Sequence, residues 1–169
     1  MSRLDSAIRR LEGQRACLER AAALIEALPG PVVELGLGNG RSFDHLRQIL
    51  PGREIFVFDR QIAAHPDCIP DDAHMIVGDF TDTVPGAVAR IGGRAALIHA
   101  DTGSGDRVAN AALAVWLGGV LAALIRADGI VVSDQALDRD GWTLLAPPAG
   151  VAPERYFTYR AGPYPEREE

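Results

Sequence analysis

A short apolar run that meets three alternating glycines constrains this chain more than any other feature. Val32-Val33-Glu34-Leu35 leads into Gly36-Leu37-Gly38-Asn39-Gly40, and after a helix-like stretch the run Glu54-Ile55-Phe56-Val57-Phe58 ends on Asp59. Short apolar runs bounded by turn residues read as buried strands. Glycine accepts positive φ and lets backbone come close to a ligand. A strand, a tight turn, a helix and a second strand ending on an acid outline a nucleotide-type cofactor site. The terminal carboxylate suits the paired hydroxyl donors of a ribose.

The rest of the chain repeats that rhythm. Met75 to Val77 reads as a short third strand before Gly78-Asp79-Phe80, Ala95 to His99 as a fourth, and Ile130 to Ser133 as a fifth. Between them, Ser42 to Leu50 reads as a helix closed by Pro51-Gly52, and Gln61 to Asp72 as a proline-bearing loop with at most a short helix. Val84 to Ile91 reads as a modest helix capped by Gly92-Gly93, and about Asp106 to Arg126 as a long one. Strands alternating with helices require a parallel, doubly wound sheet covered on both faces.

The ending departs from this pattern. Only Gln135 to Gly141 separates the fifth strand from Trp142-Thr143-Leu144-Leu145, too short for a crossover helix. Pro147 to Pro153 then leads to the alternating stretch Tyr156-Phe157-Thr158-Tyr159. The expected fold class is therefore α/β: a doubly wound, mostly parallel seven-stranded sheet with helices on both faces and an antiparallel final strand.

One domain accommodates all 169 residues, with a helical segment over 1–30, a cofactor-binding core over 31–160 and a polar tail over 161–169. In the first segment Leu4, Ile8, Leu11, Leu18, Ala22, Ile25 and Leu28 form a helical stripe, interrupted near Gly13 and stopped by Pro29-Gly30-Pro31. Packing on the sheet is the expected role, with a lid or a dimer arm as the alternatives.

Composition narrows the function. The net charge of −6 and pI of about 5.2 argue against a phosphate-backbone binder, and no nucleic-acid partner is expected. All 17 basic residues are arginines, and they form no basic stripe. Cys17 and Cys68 match neither a metal-ligand spacing nor a redox pair, which suits reduced thiols in the cytoplasm. The charged, amphipathic N-terminus is no secretory signal. Val108 to Ile125 is uncharged, but its alanines, Asn110 and the Gly118-Gly119 pair suit a covered helix, so no membrane partner is expected. That helix is apolar nearly all round, which points to a homodimer surface if nothing else buries it.

The glycine spacing separates two cofactor classes. A dinucleotide fingerprint needs its third glycine three residues after the second, where this chain has Arg41. The pattern Glu34-x-Gly36-x-Gly38-x-Gly40 instead resembles motif I of the class I S-adenosylmethionine-dependent methyltransferases, which are Rossmann-like. Asp59, Asp79-Phe80, His99-Ala100-Asp101 and the final strand pair fall at matching places, so the resemblance spans roughly Val32 to Tyr159. It implies S-adenosyl-L-methionine as cofactor. By the same resemblance, Gly36 and Gly38, with Leu37, Asn39 and Gly40, bring backbone to the methionine and ribose. Glu34 lies near the amino end or braces the loop, Asp59 takes both ribose hydroxyls, Asp79 meets the adenine amino group with Phe80 beside the ring, and Arg60 and Ala100 complete the cofactor-binding set.

At the carboxyl ends of the fourth and fifth strands the acceptor is expected. His99 and Asp101 are the candidate catalytic bases, His99 because its ordinary pKa lies near neutral pH. A buried structural role for His99 and a turn cap for Asp101 are the alternatives. Metal-dependent O-methyltransferases of the catechol kind carry Asp where this chain has His99 and Asp-Asn where it has Asp134-Gln135. An alternative metal site of His99, Asp134 and Gln135 follows, although no metal is the expectation. The segment Asn-Pro-Pro-Tyr of many amino-methylating nucleic-acid enzymes is absent. The function expected is a cytoplasmic methyltransferase for a small-molecule acceptor. A nicotinamide oxidoreductase and a non-catalytic cofactor-binding module are the alternatives.

Overall fold

The computed structural model describes residues 2–103 and 106–163. A helix α1 (Arg3–Leu24) precedes β1 (Val32–Leu35), α2 (Arg41–Ile49) and β2 (Ile55–Asp59). A 3₁₀ turn at Pro66–Cys68 leads to β3 (Met75–Val77), the short helices α3 (Phe80–Thr83) and α4 (Ala87–Arg90), and β4 (Ala95–Ala100). The chain then forms α5 (Arg107–Leu124), β5 (Ile125–Ser133), β6 (Thr143–Leu145) and β7 (Phe157–Arg160).

The seven strands form one sheet in the order β3-β2-β1-β4-β5-β7-β6. Strands β1 to β5 pair in parallel, whereas β7 runs antiparallel to both β5 and β6. The final strand thus inserts between β5 and β6, so β6 runs in the same direction as β5 without pairing with it. The order reverses at β1 and β4, and this crevice is where ligands sit in open sheets of this kind.

Two apolar layers flank the sheet. On one face Val33, Leu35, Ile98 and Val131 pack against Leu117, Leu121 and Leu124 of α5 and Ala87 of α4. On the other, Val32, Val57, Leu97 and Val132 pack against Cys17, Leu18 and Ala21 of α1 and Phe43 and Leu46 of α2. Alternate residues of each strand serve opposite faces, which is the side-chain period of an extended strand.

Three local expectations are corrected. Helix α1 runs unbroken through Gly13, whose missing Cβ leaves room for Val151 Cγ1 at 3.4 Å and Tyr156 Cδ2 at 3.9 Å. Its buried residues, Gly13, Gln14, Cys17, Leu18 and Ala21, sit in its later turns, while Leu4 and Ile8 are 68% and 45% exposed. Of the helix expected over Val84 to Ile91 only one turn forms, α4, separated from the turn α3 before it by Pro85, which lacks a backbone N–H and whose ring obstructs the preceding turn. Strand β5 begins earlier, with Ile125 opposite Ala95, and a register shift between Ala95 and Leu97 absorbs the irregularity. Residues 164–169 of the expected tail lie outside the described residues, and Ala161 at its start is buried, with its N–H donating to the Gly129 carbonyl at 2.9 Å.

Candidate active site

The glycine turn closes the carboxyl end of β1 with Gly36, Gly38 and Gly40 all at positive φ, +95°, +52° and +82°. The three positions do different work. A Cβ on Gly36 would meet the Asp101 carbonyl oxygen at 2.5 Å, and one on Gly40 would meet Cys68 Cβ at 2.5 Å. These two let neighbouring chain pack against the turn. Gly38 faces open space, with nothing within 4 Å of an added Cβ, and is the place where a ligand can approach bare backbone.

Asp59, at the end of β2, holds the turn from the side. Its Oδ2 accepts from the Leu37 N–H at 2.8 Å and the Gly38 N–H at 3.2 Å, and its Oδ1 from the Gln61 N–H at 3.2 Å. Leu37 is buried, while Asn39 and Arg60 are exposed. Asp79 caps α3, accepting from the Thr81 N–H at 3.1 Å and the Thr81 hydroxyl at 3.0 Å. Those bonds hold its carboxyl below the usual range, and the charge of Arg60 adds to the effect. Phe80 is half-buried against the apolar layer under α4 and α5. Ala100 is fully buried, and its carbonyl accepts from the Asp134 N–H at 3.0 Å.

Glu34 and His99 are register partners on adjacent parallel strands, so both side chains enter the layer beneath α1 and α2. Neither is exposed to solvent at all. His99 Nδ1 lies 3.2 Å from Glu34 Oε1, an oxygen that also accepts from the Ser42 hydroxyl at the start of α2. His99 Nε2 lies 3.4 Å from Gln14 Nε2. Burial opposes a charge on His99, but the hydrogen bond and negative charge of Glu34 prevail and raise its pKa above the ordinary histidine value. His99 therefore has both ring nitrogens beside protein groups and no exposed surface.

Asp101, just after β4, is a partly exposed acid that meets α1 and the approach to β7. Its Oδ2 accepts from Gln14 Nε2 at 2.7 Å, Arg10 Nη1 at 3.2 Å and the Tyr156 hydroxyl at 3.5 Å. Among the described residues, Oδ1 has no hydrogen-bond partner. Burial and the Asp101 charge push the Tyr156 phenol far above its usual range, so it stays a donor. Asp134 turns back onto the loop after β4, accepting from Thr102 N–H at 3.2 Å, Gly103 N–H at 2.8 Å and Gln135 Nε2 at 3.1 Å. Burial raises its carboxyl pKa, and the negative charge of Asp101 adds to this against those hydrogen bonds.

The sequence-derived metal triad is not assembled. His99 faces Glu34 and Gln14, whereas Asp134 is taken up by backbone N–H groups and Gln135. Among the described residues no group of three or more His, Cys, Asp or Glu side chains is placed to hold a metal. Four participants escaped the sequence reading: Arg10, Gln14, Ser42 and Tyr156. Gln14 had a signal, since it is a polar residue on the same helical face as Cys17, Leu18 and Ala21.

The turn, its flanking acids and the crevice between β1 and β4 fit a nucleoside cofactor, and comparison identifies which one. The family model of the S-adenosyl-L-methionine methyltransferases matches residues 1–161. The chain belongs to that family. The methyltransferase is 44% identical to an S-adenosyl-L-methionine methyl transferase from Silicibacter pomeroyi DSS-3, over 96% of this chain and 99% of that one, with a TM-score of 0.90. The MycE methyltransferase of the mycinamycin biosynthetic pathway, solved with Mg and SAH, is 15% identical over 82% of this chain and 43% of its own, with a TM-score of 0.55. TrmN from Thermus thermophilus is 16% identical over 83% of this chain and 48% of its own, with a TM-score of 0.57. These two show the fold alone. A search of curated proteins finds no match. The methyltransferase uses S-adenosyl-L-methionine, and the nicotinamide and non-catalytic alternatives give way. None of its described helices is long and apolar enough to cross a membrane.

Proposed function

We propose that the enzyme methylates a small molecule held over the carboxyl ends of β4 and β5, with the cofactor bound across the glycine turn. The open face of Gly38, bracketed by Asp59, carries this reading, since it is the bare-backbone cradle that a cofactor would fill. When bound, S-adenosyl-L-methionine supplies an electrophilic methyl carbon on a sulfonium. That carbon would be open to an acceptor's lone pair, with S-adenosylhomocysteine as the leaving group. Glu34 braces the turn through Ser42, and Asp59, which fixes the Leu37 and Gly38 amides, is the acid assigned to the ribose hydroxyls. Asp79, Phe80 and Arg60 form the adenine end.

On the acceptor side, Asp101 Oδ1 receives the proton that the nucleophile loses, while its Oδ2 is clamped by Arg10, Gln14 and Tyr156. Holding acceptor and methyl carbon in line is the main service these residues perform. The net charge of −6 supports a small-molecule acceptor over a nucleic acid.

Replacing Asp59→Ala should weaken S-adenosylhomocysteine binding by about 1–3 kcal/mol, roughly 5- to 150-fold, by titration calorimetry. Unchanged affinity would remove Asp59 from the cofactor site. The free thiols of Cys17 and Cys68 support a cytoplasmic location. The outward face of α5, with Val108 82% and Val115 74% exposed, supports a homodimer; sedimentation as a monomer at micromolar concentration would contradict it.

A further inference from the structure

Four elements distant in sequence meet in one unbranched line of polar groups beneath the acceptor side. Ser42 on α2 donates to Glu34 Oε1 on β1. His99 Nδ1 on β4 lies 3.2 Å from that oxygen, and His99 Nε2 lies 3.4 Å from Gln14 Nε2 on α1. Gln14 Nε2 also donates to Asp101 Oδ2 at 2.7 Å. Gln14 is 7% exposed, and Glu34 and His99 are wholly buried, so water cannot substitute for a lost partner.

Counting donors fixes where the protons lie. A carboxylate only accepts, so the amide group facing Asp101 is the NH₂ end of Gln14. Its second hydrogen points to His99, whose Nε2 must then accept. The ring therefore carries one proton, on Nδ1, and gives it to Glu34. A second proton, on Nε2, would set two donors against each other at 3.4 Å. The relief is a flip of the amide. Gln14 then presents its carbonyl to His99 and, from the same position, an acceptor to the Asp101 carboxylate, so that bond is lost.

We propose that Gln14 and His99 are positioning residues for methyl transfer: with one proton on His99 they lock Asp101 against α1 with its Oδ1 free for the acceptor, and a second proton unlocks it. The proposal rests on the reading of Asp101 as the group that meets the acceptor. The charged and titratable groups facing His99 are Glu34 from β1, Asp101 from the end of β4 and Asp134 from the end of β5, with the neutral Gln14 from α1. Asp101 in turn faces Arg10 and Tyr156. The three acids favour the second proton, so unlocking begins above the ordinary histidine pKa of 6.5 as pH falls.

The test uses the full chain, ¹⁵N-labelled at histidine and saturated with S-adenosylhomocysteine, whose binding is first measured by calorimetry. Two-bond ¹H–¹⁵N spectra report the ring protons of His99, assigned by the signal missing from His99→Gln. Amide exchange over residues 9–14 reports the docking of α1, corrected for the intrinsic effect of pH. The expected result is an Nδ1–H ring at alkaline pH. On acidification, exchange over residues 9–14 should rise about tenfold with the same midpoint as the ring. Gln14→Leu, which has no amide to flip, should show no such step. An Nε2–H ring, or a ring that titrates while exchange stays flat, would overturn the proposal. So would failure to bind S-adenosylhomocysteine, which sinks the proposed function along with it; normal binding with a flat profile sinks the relay alone. If Gln14→Leu does not fold, the wild-type ring and exchange data decide by themselves.

Discussion

The cofactor side and the acceptor side of this site are built by opposite strategies. The cofactor side comes from one continuous stretch, Val32 to Asp59, in which a turn of glycines is held by the acid that ends the next strand. Its groups are mostly backbone, fixed by φ and by two N–H bonds, and little of it depends on remote side chains. The acceptor side is assembled from α1, the end of β4, the end of β5 and the approach to β7. Its contacts join residues 55, 87, 91 and 146 apart. The lesson is about rigidity. Backbone geometry fixes the glycine turn, while the groups around Asp101 depend on networks of side chains from distant parts of the chain.

Substitution should expose this difference, and the largest effect belongs to the turn. Gly36→Ala adds a Cβ that meets the Asp101 carbonyl at 2.5 Å, at a φ of +95°. We expect a loss of about 3 kcal/mol of stability in urea denaturation, from strain and overpacking together. Gly38→Ala has the same handedness but open space, so its cost should be about 1 kcal/mol. Equal losses at the two positions would break the distinction between a packing glycine and a ligand-facing one.

On the acceptor side the expected effect is smaller. Tyr156→Phe removes a hydroxyl 3.3 Å from Arg10 Nη1 and 3.5 Å from Asp101 Oδ2, both long bonds in a cluster that keeps Gln14. Stability should fall by no more than about 1 kcal/mol, and affinity for S-adenosylhomocysteine should not change. A large loss of cofactor affinity would show that the two sides are not built independently.

The same contrast explains how far the sequence could be read. Strand and turn signals are local, so β1, the glycine turn, β3 and the antiparallel ending were legible from patterns of apolar residues and breakers. Gly13 misled, because a glycine inside a helix gives the same local signal as a helix break, and only the packing of Val151 and Tyr156 against it shows otherwise. The apolar spacing of Val84 to Ile91 gives a helical signal that Pro85 overrides. Ser42, Gln14, Arg10 and Tyr156 lie outside any motif, and their roles exist only once the strands bring Glu34 beside His99 and α1 above Asp101. Histidine at the end of a strand reads equally well as a base or a buried residue. The choice depends on which face it takes, and the pairing with Glu34 sets that.

With the turn after β1 as the cofactor cradle, Asp101 would face the reacting sulfur. A crystal structure of the complex with S-adenosylhomocysteine tests this arrangement most directly. The ribose should lie over Gly38 within hydrogen-bond reach of Asp59, with the sulfur on the side of Asp101 Oδ1. Ligand density elsewhere, for instance in the groove between α1 and α2, or a sulfur turned away from β4, would contradict it.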